Sequence, residues 1–335
     1  MTMNLGESPS QSTDPLDKTR HTMACLKDFV GHDVMGRDDV IELVIVALFS
    51  GGHVLLEDYP GSGKTTLAKA LGAAITKDSE GDMLAGFRRI QFTPDLLPSD
   101  VTGVMVFDPQ TNQFHFRKGP IFAHIVLVDE INRTSPKVQS ALLESMGESQ
   151  VTIDNTSYQL DDLFFVIATQ NPLDAVGTYP LPVAQLDRFL FKVRMDHVSR
   201  NAELEVLDSW GMPREQVTRE PVTRADVLNG RKVIRECVHV SPAVKECLVD
   251  IARAVRDDDR TAQGVSTRSL VQALPALQTL AVLEGRDFVS PGDIEKLSVH
   301  LFQHRMSVVP GAGTAAEILR DAMKGPIDRL SRSTI

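Results

Sequence analysis

Between about residues 20 and 198 the apolar positions gather into five short β-rich runs, at 53–57, 89–92, 125–129, 164–168 and 190–194, with helical periodicity between them. That alternation predicts βαβ crossovers and a five-stranded parallel sheet flanked by helices on both faces. Two further stretches alternate with period two, 104–117 around Pro109 to Asn112 and 151–160 around Asp154 and Asn155, and predict hairpins inserted into the framework. Beyond about residue 200 the β-rich runs cease. Ser241-Pro242 and Ser290-Pro291 each offer a helix N-cap followed by Pro at the first helical position, and Val244, Leu248, Ile251 and Val255 recur at helical spacing, as do Leu270, Leu274, Leu277 and Leu280. Residues 1–19 carry Ser, Gln, Asp, Pro and Gly without a repeating apolar face and predict a disordered tail. The expected division is therefore a tail over 1–19, an αβ core over 20–198 and an all-α domain over 199–335.

Composition narrows the class. Of 335 residues, 42% are apolar and 24% charged, enough to bury a substantial core. The 45 acidic residues outnumber the 35 basic ones, and a net charge of -10 argues against a general nucleic-acid binder. The longest apolar stretch, 43–49, is far short of the roughly 20 residues a membrane helix needs. The N-terminus shows no basic stretch leading into an apolar one, and Cys25, Cys237 and Cys247 form no CxxC or Cys/His spacing, so a reducing cytoplasm is expected.

The chemistry begins directly after the first run. Asp58-Tyr59-Pro60-Gly61-Ser62-Gly63-Lys64-Thr65 and then Thr66 lead into a helical pattern, the order strand, loop, helix of a phosphate-binding loop. Gly61 and Gly63 would let the backbone amides of the loop after Pro60 turn inward around an anion, the helix would add its positive end, Lys64 would reach the terminal phosphates, and Thr65 would offer a hydroxyl to Mg²⁺. Asp58 stands where the general pattern has Gly. Magnesium and an attacking water also need carboxylates, and Asp129-Glu130 closes the third run: Asp129 for the metal, Glu130 as general base. The fourth run ends near Asn171, whose amide would reach the γ-phosphate and the water, although Asn before Pro is also an ordinary turn former.

Together these residues resemble an AAA+ ATPase, with Lys64 and Thr65 in the Walker A position, Asp129 and Glu130 in Walker B and Asn171 as sensor 1. The stretches 89–100, 119–122, 129–133, 168–172 and 181–189, the last ending Leu186-Asp187-Arg188-Phe189, resemble the MoxR family within the helix-2-insert clade. The resemblance runs from about residue 26 to the end, and the family tolerates Asp at position 58. It implies a P-loop AAA+ core followed by a helical lid, ATP and Mg²⁺ as cofactors, and a homo-oligomeric ring, most simply a hexamer. Arg188 matches the arginine finger that enters a neighbouring subunit's site, and Arg268 matches sensor 2 at the start of a lid helix, with Thr267 where the family usually has Pro. Met35 and Gly36 match the segment that packs on adenine. Arg133 either faces a neighbouring subunit or is a solvated surface arginine.

The implied work is chaperone-like remodelling or maturation of a client protein, often one with a von Willebrand factor A domain. Two rival readings share the phosphate loop. A phosphotransferase would close its own Arg-rich lid over a second substrate, and Glu130 beside the metal Asp suits water instead. A DNA motor would need a basic grip, which the net charge opposes outside the hairpins.

Overall fold

The protein is described from a computed structural model, over residues 14–58, 62–76, 78, 84–171, 177–208 and 220–333. Its five-stranded sheet is built from β1 (Val54–Asp58), β2 (Ala85–Gln91), β3 (Ala123–Asp129), β4 (Phe165–Gln170) and β5 (Phe191–Met195), in the order β5-β1-β4-β3-β2 with every pairing parallel. All seven side chains of β3 are buried, as a strand covered on both faces requires. Alternate residues serve two cores. Val54, Leu56, Ile125, Leu127, Phe165 and Ile167 face one; Leu55, Val126, Val128, Val166 and Ala168 face the other. The edge strand β2 begins at Ala85, four residues before its apolar run, because most of its side chains are only partly buried or exposed and leave little hydrophobic signal.

Helices α1 (Pro15–Asp33), α2 (Asp38–Ser50) and α3 (Lys64–Ala74) cover the first face, and α4 (Pro136–Glu148) covers the second. Helix α1 corrects the expected tail. Asp14 caps it by accepting from the Leu16 amide at 2.9 Å, Pro15 opens it, and Leu16, Thr19, Met23, Leu26 and Val30 form its buried face. Two of its buried positions, Thr19 and Thr22, are polar, which hid the stripe; their hydroxyls bond the carbonyls of Pro15 and Lys18. Residues 1–13 of the expected tail lie outside the described residues.

The lid comprises α5 (Arg224–Cys237), α6 (Pro242–Arg256), α7 (Thr267–Leu283), α8 (Pro291–Phe302) and α9 (Ala315–Ser333). Their apolar faces join those of α1, α2 and β5 in one continuous cluster, so lid and core share an interior. Ser241 and Ser290 cap α6 and α8, with Pro following each. The expectation of a purely helical second domain needs correction at two short pairings, Thr261–Gln263 with Ser307–Val308 and Val222–Thr223 with Ile75–Thr76, which are too brief to show a period. No helix among the described residues is long and apolar enough to cross a membrane.

Both hairpins stand where the alternation placed them, Gly103–Asp108 with Gln113–Lys118 and Gln150–Ile153 with Thr156–Gln159. Asp154 and Asn155 both take positive φ, the pair a tight two-residue turn demands. Phe116 of the first hairpin stacks on Tyr158 of the second with centroids 4.1 Å apart, which locks the two together. The first leaves Val104, Val106, Phe107 and Phe114 exposed.

Two buried imidazoles tie the sheet to its surroundings. His53 Nδ1 accepts from the Val166 amide at 3.1 Å while Nε2 faces the Met146 carbonyl at 3.3 Å, and His304 Nε2 faces the Phe189 carbonyl at 3.0 Å. Burial pushes their pKa values down to about 4 and about 3. Unfolded histidine titrates near 6.5, so the stability these neutral rings contribute is complete above that pH and drains away as pH falls toward those values. Urea unfolding should therefore lose about 3 kcal/mol through His53 and about 4 kcal/mol through His304 between pH 7 and pH 3, and His53→Leu should flatten the slope; a stability level across this range would refute the assignment.

Candidate active site

The carboxyl ends of β1, β4 and β3 lie side by side, the edge at which open α/β sheets bind ligands. After β1 the chain enters α3 through Gly63, whose φ of +93°, at a place where a Cβ would meet no atom, reserves it for glycine by conformation alone. Among the described residues no side chain caps α3, whose positive end suits an anion. Ser62, Gly63, Lys64, Thr65 and Thr66 are half-buried around this end; Pro60 and Gly61 lie outside the described residues.

Strand β3 delivers Asp129 and Glu130. The Asp129 side chain is 3% exposed, and Arg89 on β2 approaches its Oδ2 at 2.6 Å. From β4 the Thr169 hydroxyl donates to Asp129 Oδ1 at 3.3 Å and accepts from the Glu130 amide at 3.0 Å, so one side chain holds both acidic residues in register. Glu130 sits at φ 57°, ψ 53°, a left-handed conformation that costs a residue with a side chain about 1–2 kcal/mol. Its carboxylate is held by Gln91, whose Nε2 donates to Oε2 at 2.8 Å, and by Arg133 Nε at 3.3 Å. Arg133 thus pairs within its own chain. Sequence reasoning passed over Arg89, Gln91 and Thr169, because each acts through a neighbouring strand rather than through a local motif.

Asn171 follows β4, between the phosphate loop and the acidic pair, and is half-buried. Beside it Gln170 Nε2 donates to Glu57 Oε1 at 2.7 Å, and Lys192 Nζ reaches the same oxygen at 2.8 Å, a polar ladder across β4, β1 and β5. Met35 and Gly36 lie in the turn before α2. Gly36, at φ 69°, packs so closely on Ala202 that a Cβ would collide, and Arg37 anchors the turn to the Asp196 carbonyl. Arg188 is half-buried in the short segment before β5, its guanidinium lying over Gly147 near the end of α4. Arg268 is exposed in the first turn of α7, beside the N-cap Ser266.

The chain matches the family model of the ATPase family associated with various cellular activities (AAA) over residues 53–191 and that of the AAA lid domain over residues 253–322. An uncharacterized protein of Bacillus subtilis, YeaC, is 46% identical over 310 residues, covering 90% of this chain and 94% of that protein. Chaperone MoxR1 of Mycobacterium tuberculosis is 34% identical over 313 residues, covering 90% and 79%. A crystal structure from Cytophaga hutchinsonii, assigned as an ATPase, superposes with a TM-score of 0.82 at 33% identity, covering 92% of this chain and 96% of that one.

The double role of Thr169 has a measurable cost when removed. Thr169→Val keeps the volume but strands a buried carboxylate oxygen and the Glu130 amide, and urea unfolding should show a loss of about 1–3 kcal/mol. A variant as stable as the parent would mean that the hydroxyl does not hold the pair.

Proposed function

The chain belongs to the MoxR family of AAA+ ATPases and hydrolyses ATP, and from that premise we propose that it is a Mg²⁺-dependent, ring-forming remodelling factor that matures client proteins in the cytoplasm. The observation that carries the reading is the strained, hydrogen-bonded Glu130 at the end of a buried strand, two strands from an uncapped helix that follows the phosphate loop.

Within that reading the loop amides and Lys64 hold the phosphates, and Met35 and Gly36 flank the adenine. The donor set fits magnesium: the Thr65 hydroxyl and the Asp129 carboxylate are hard oxygen ligands of the kind it takes, with waters completing the shell. When bound, the ion would neutralise charge on the phosphates. Arg89 already occupies one Asp129 oxygen and would yield it or leave Asp129 to act through a metal-bound water. Glu130 takes the proton of the attacking water once released from Gln91 and Arg133, and Asn171 aligns that water. Arg268 reads the nucleotide from the lid. Arg188, with its planar guanidinium, stabilises the transferring phosphoryl group of the next subunit, which is why a ring, most simply a hexamer, is the working form. Residues from the start of α1 at Pro15 to 198 serve as core and 199–335 as lid.

The exposed apolar side chains of the first hairpin, Val104 and Val106 on one face and the paired Phe107 and Phe114 on the other, support a client-gripping role, and the relative named a chaperone supports the class of work. A client with a von Willebrand factor A domain is the partner we favour.

Calorimetric titration separates the roles. Lys64→Ala should abolish ATP binding, while Glu130→Gln should bind ATP and lose turnover; equal loss of affinity in both would remove Glu130 from the catalytic step. Arg188→Ala should bind ATP normally and lose turnover on the order of a thousandfold. Mixed with Glu130→Gln protein under subunit exchange, it should regain activity, since each supplies what the other lacks. Rings shown by mass to be mixed yet inactive would contradict action in trans.

A further inference from the structure

Arg305 follows α8 and lies in the seam between lid and core, its side chain 1% exposed. Two nitrogens of its planar fork meet carbonyls and the third, which makes no hydrogen bond, faces a carboxylate. Nη2 donates to the Phe189 carbonyl at 2.9 Å, Nη1 approaches the Ser269 carbonyl at 3.5 Å, and Nε lies 3.3 Å from Asp187 Oδ1. The same Asp187 oxygen accepts from the Ser269 hydroxyl at 3.1 Å, and His304 adds a second contact to the Phe189 carbonyl. Asp187 and Phe189 bracket Arg188. Ser269 directly follows Arg268 on α7, whose N-cap Ser266 also bonds the Ser269 hydroxyl at 2.9 Å. The residues on either side of the core's candidate finger are thus held by the lid, one of them through the neighbour of its candidate nucleotide sensor.

A buried guanidinium is costly, and an apolar side chain of similar volume often packs with greater stability. Desolvation pulls the Arg305 pKa down to about 10, with Asp187 raising it and Arg268 lowering it, so the group remains charged at neutral pH and feels both arginine-bearing segments. If the lid tilts, the fork either carries residues 187–189 along or leaves a charge unpaired in a dry seam. Moving a short segment is much the cheaper outcome.

We propose that Arg305 is a positioning residue that makes the reach of Arg188 depend on the posture of its own lid, so that the nucleotide state of one subunit is transmitted to hydrolysis in the next. The proposal rests on the reading of Arg188 as a residue acting in trans. It assigns control of one site to a residue in another subunit's lid, which touches no nucleotide.

The test uses full-length protein in mixed rings. Glu130→Gln subunits donate fingers only, and Arg188→Ala subunits donate hydrolytic sites only. Arg305→Lys keeps the charge but loses the fork. Placed in the Glu130→Gln donor, it should cut the recovered turnover about tenfold; placed in the Arg188→Ala partner, it should cost less than about twofold, with ATP affinity unchanged in both. Ser269→Ala, which leaves Arg305 in place and removes the hydroxyl shared by Asp187 and the N-cap Ser266, should give the same asymmetry at smaller size. Equal losses in the two arms, a loss confined to the site-bearing arm, or losses that follow melting temperature would show a merely structural residue and overturn the proposal. If the parent mixture recovers no turnover, action in trans fails and the coupling falls with it; if the parent mixture recovers and Arg305→Lys in the donor changes nothing, the coupling alone is wrong.

Discussion

A strand buried along its whole length must surrender its last polar group to something, and in β3 that group is the Asp129 carboxylate. Leaving it unpaired would cost more than any single packing contact in the sheet could return. Two neighbours meet the demand, Arg89 from β2 and Thr169 from β4, and the Thr169 hydroxyl in turn accepts from the peptide that carries on to Glu130. The order of the sheet is what makes this possible, since β3 lies between the strands bearing the two side-chain partners. The same pairings tilt the chain into the left-handed turn at Glu130 and set its carboxylate within reach of Gln91. The local balance of charge follows too. In a protein of net charge -10, Arg89 and Arg133 each stand against one of the two carboxylates at this edge.

The sheet was legible because its inner strands are unbroken apolar runs, and the hairpins were legible because their turns are made of residues that tolerate positive φ. Helix α1 was not, since threonines occupy two of its buried positions and satisfy themselves against the preceding turn. The opening of β2 escaped for the opposite reason: an edge strand with exposed side chains has no hydrophobic pattern to read. In the site, Lys64, Thr65, Asp129 and Glu130 announce themselves by their order along the chain. Arg89, Gln91 and Thr169 do not, because their partners are named only when strands 39 or 40 residues apart pair. Arg305 lies farther out of reach still, 116 residues from the carbonyl it grips, and no local spacing points to it.

What distinguishes this chain's architecture is that lid and core are not separately packed bodies joined by a tether. Residues of α1, α2 and β5 share an interior with the lid helices, and Arg20 on α1 donates to the Val282 carbonyl at the end of α7 at 3.1 Å. Movement of the lid is therefore movement of a packed layer, constrained by side chains that interlock across it. The polar seam around Arg305 is the place where that layer meets the segment bearing Arg188.

Gly147 gives this arrangement an evolutionary reading. The space above its α-carbon is filled by the Arg188 guanidinium, and a single added methyl group would meet the far end of that flexible side chain rather than the backbone. The chain would answer by moving the guanidinium, keeping its fold and every recognisable motif. Under the role proposed for Arg188, selection on its placement falls on a glycine outside all of those motifs, and a lineage could lose the activity through that one codon while its descendants still looked intact.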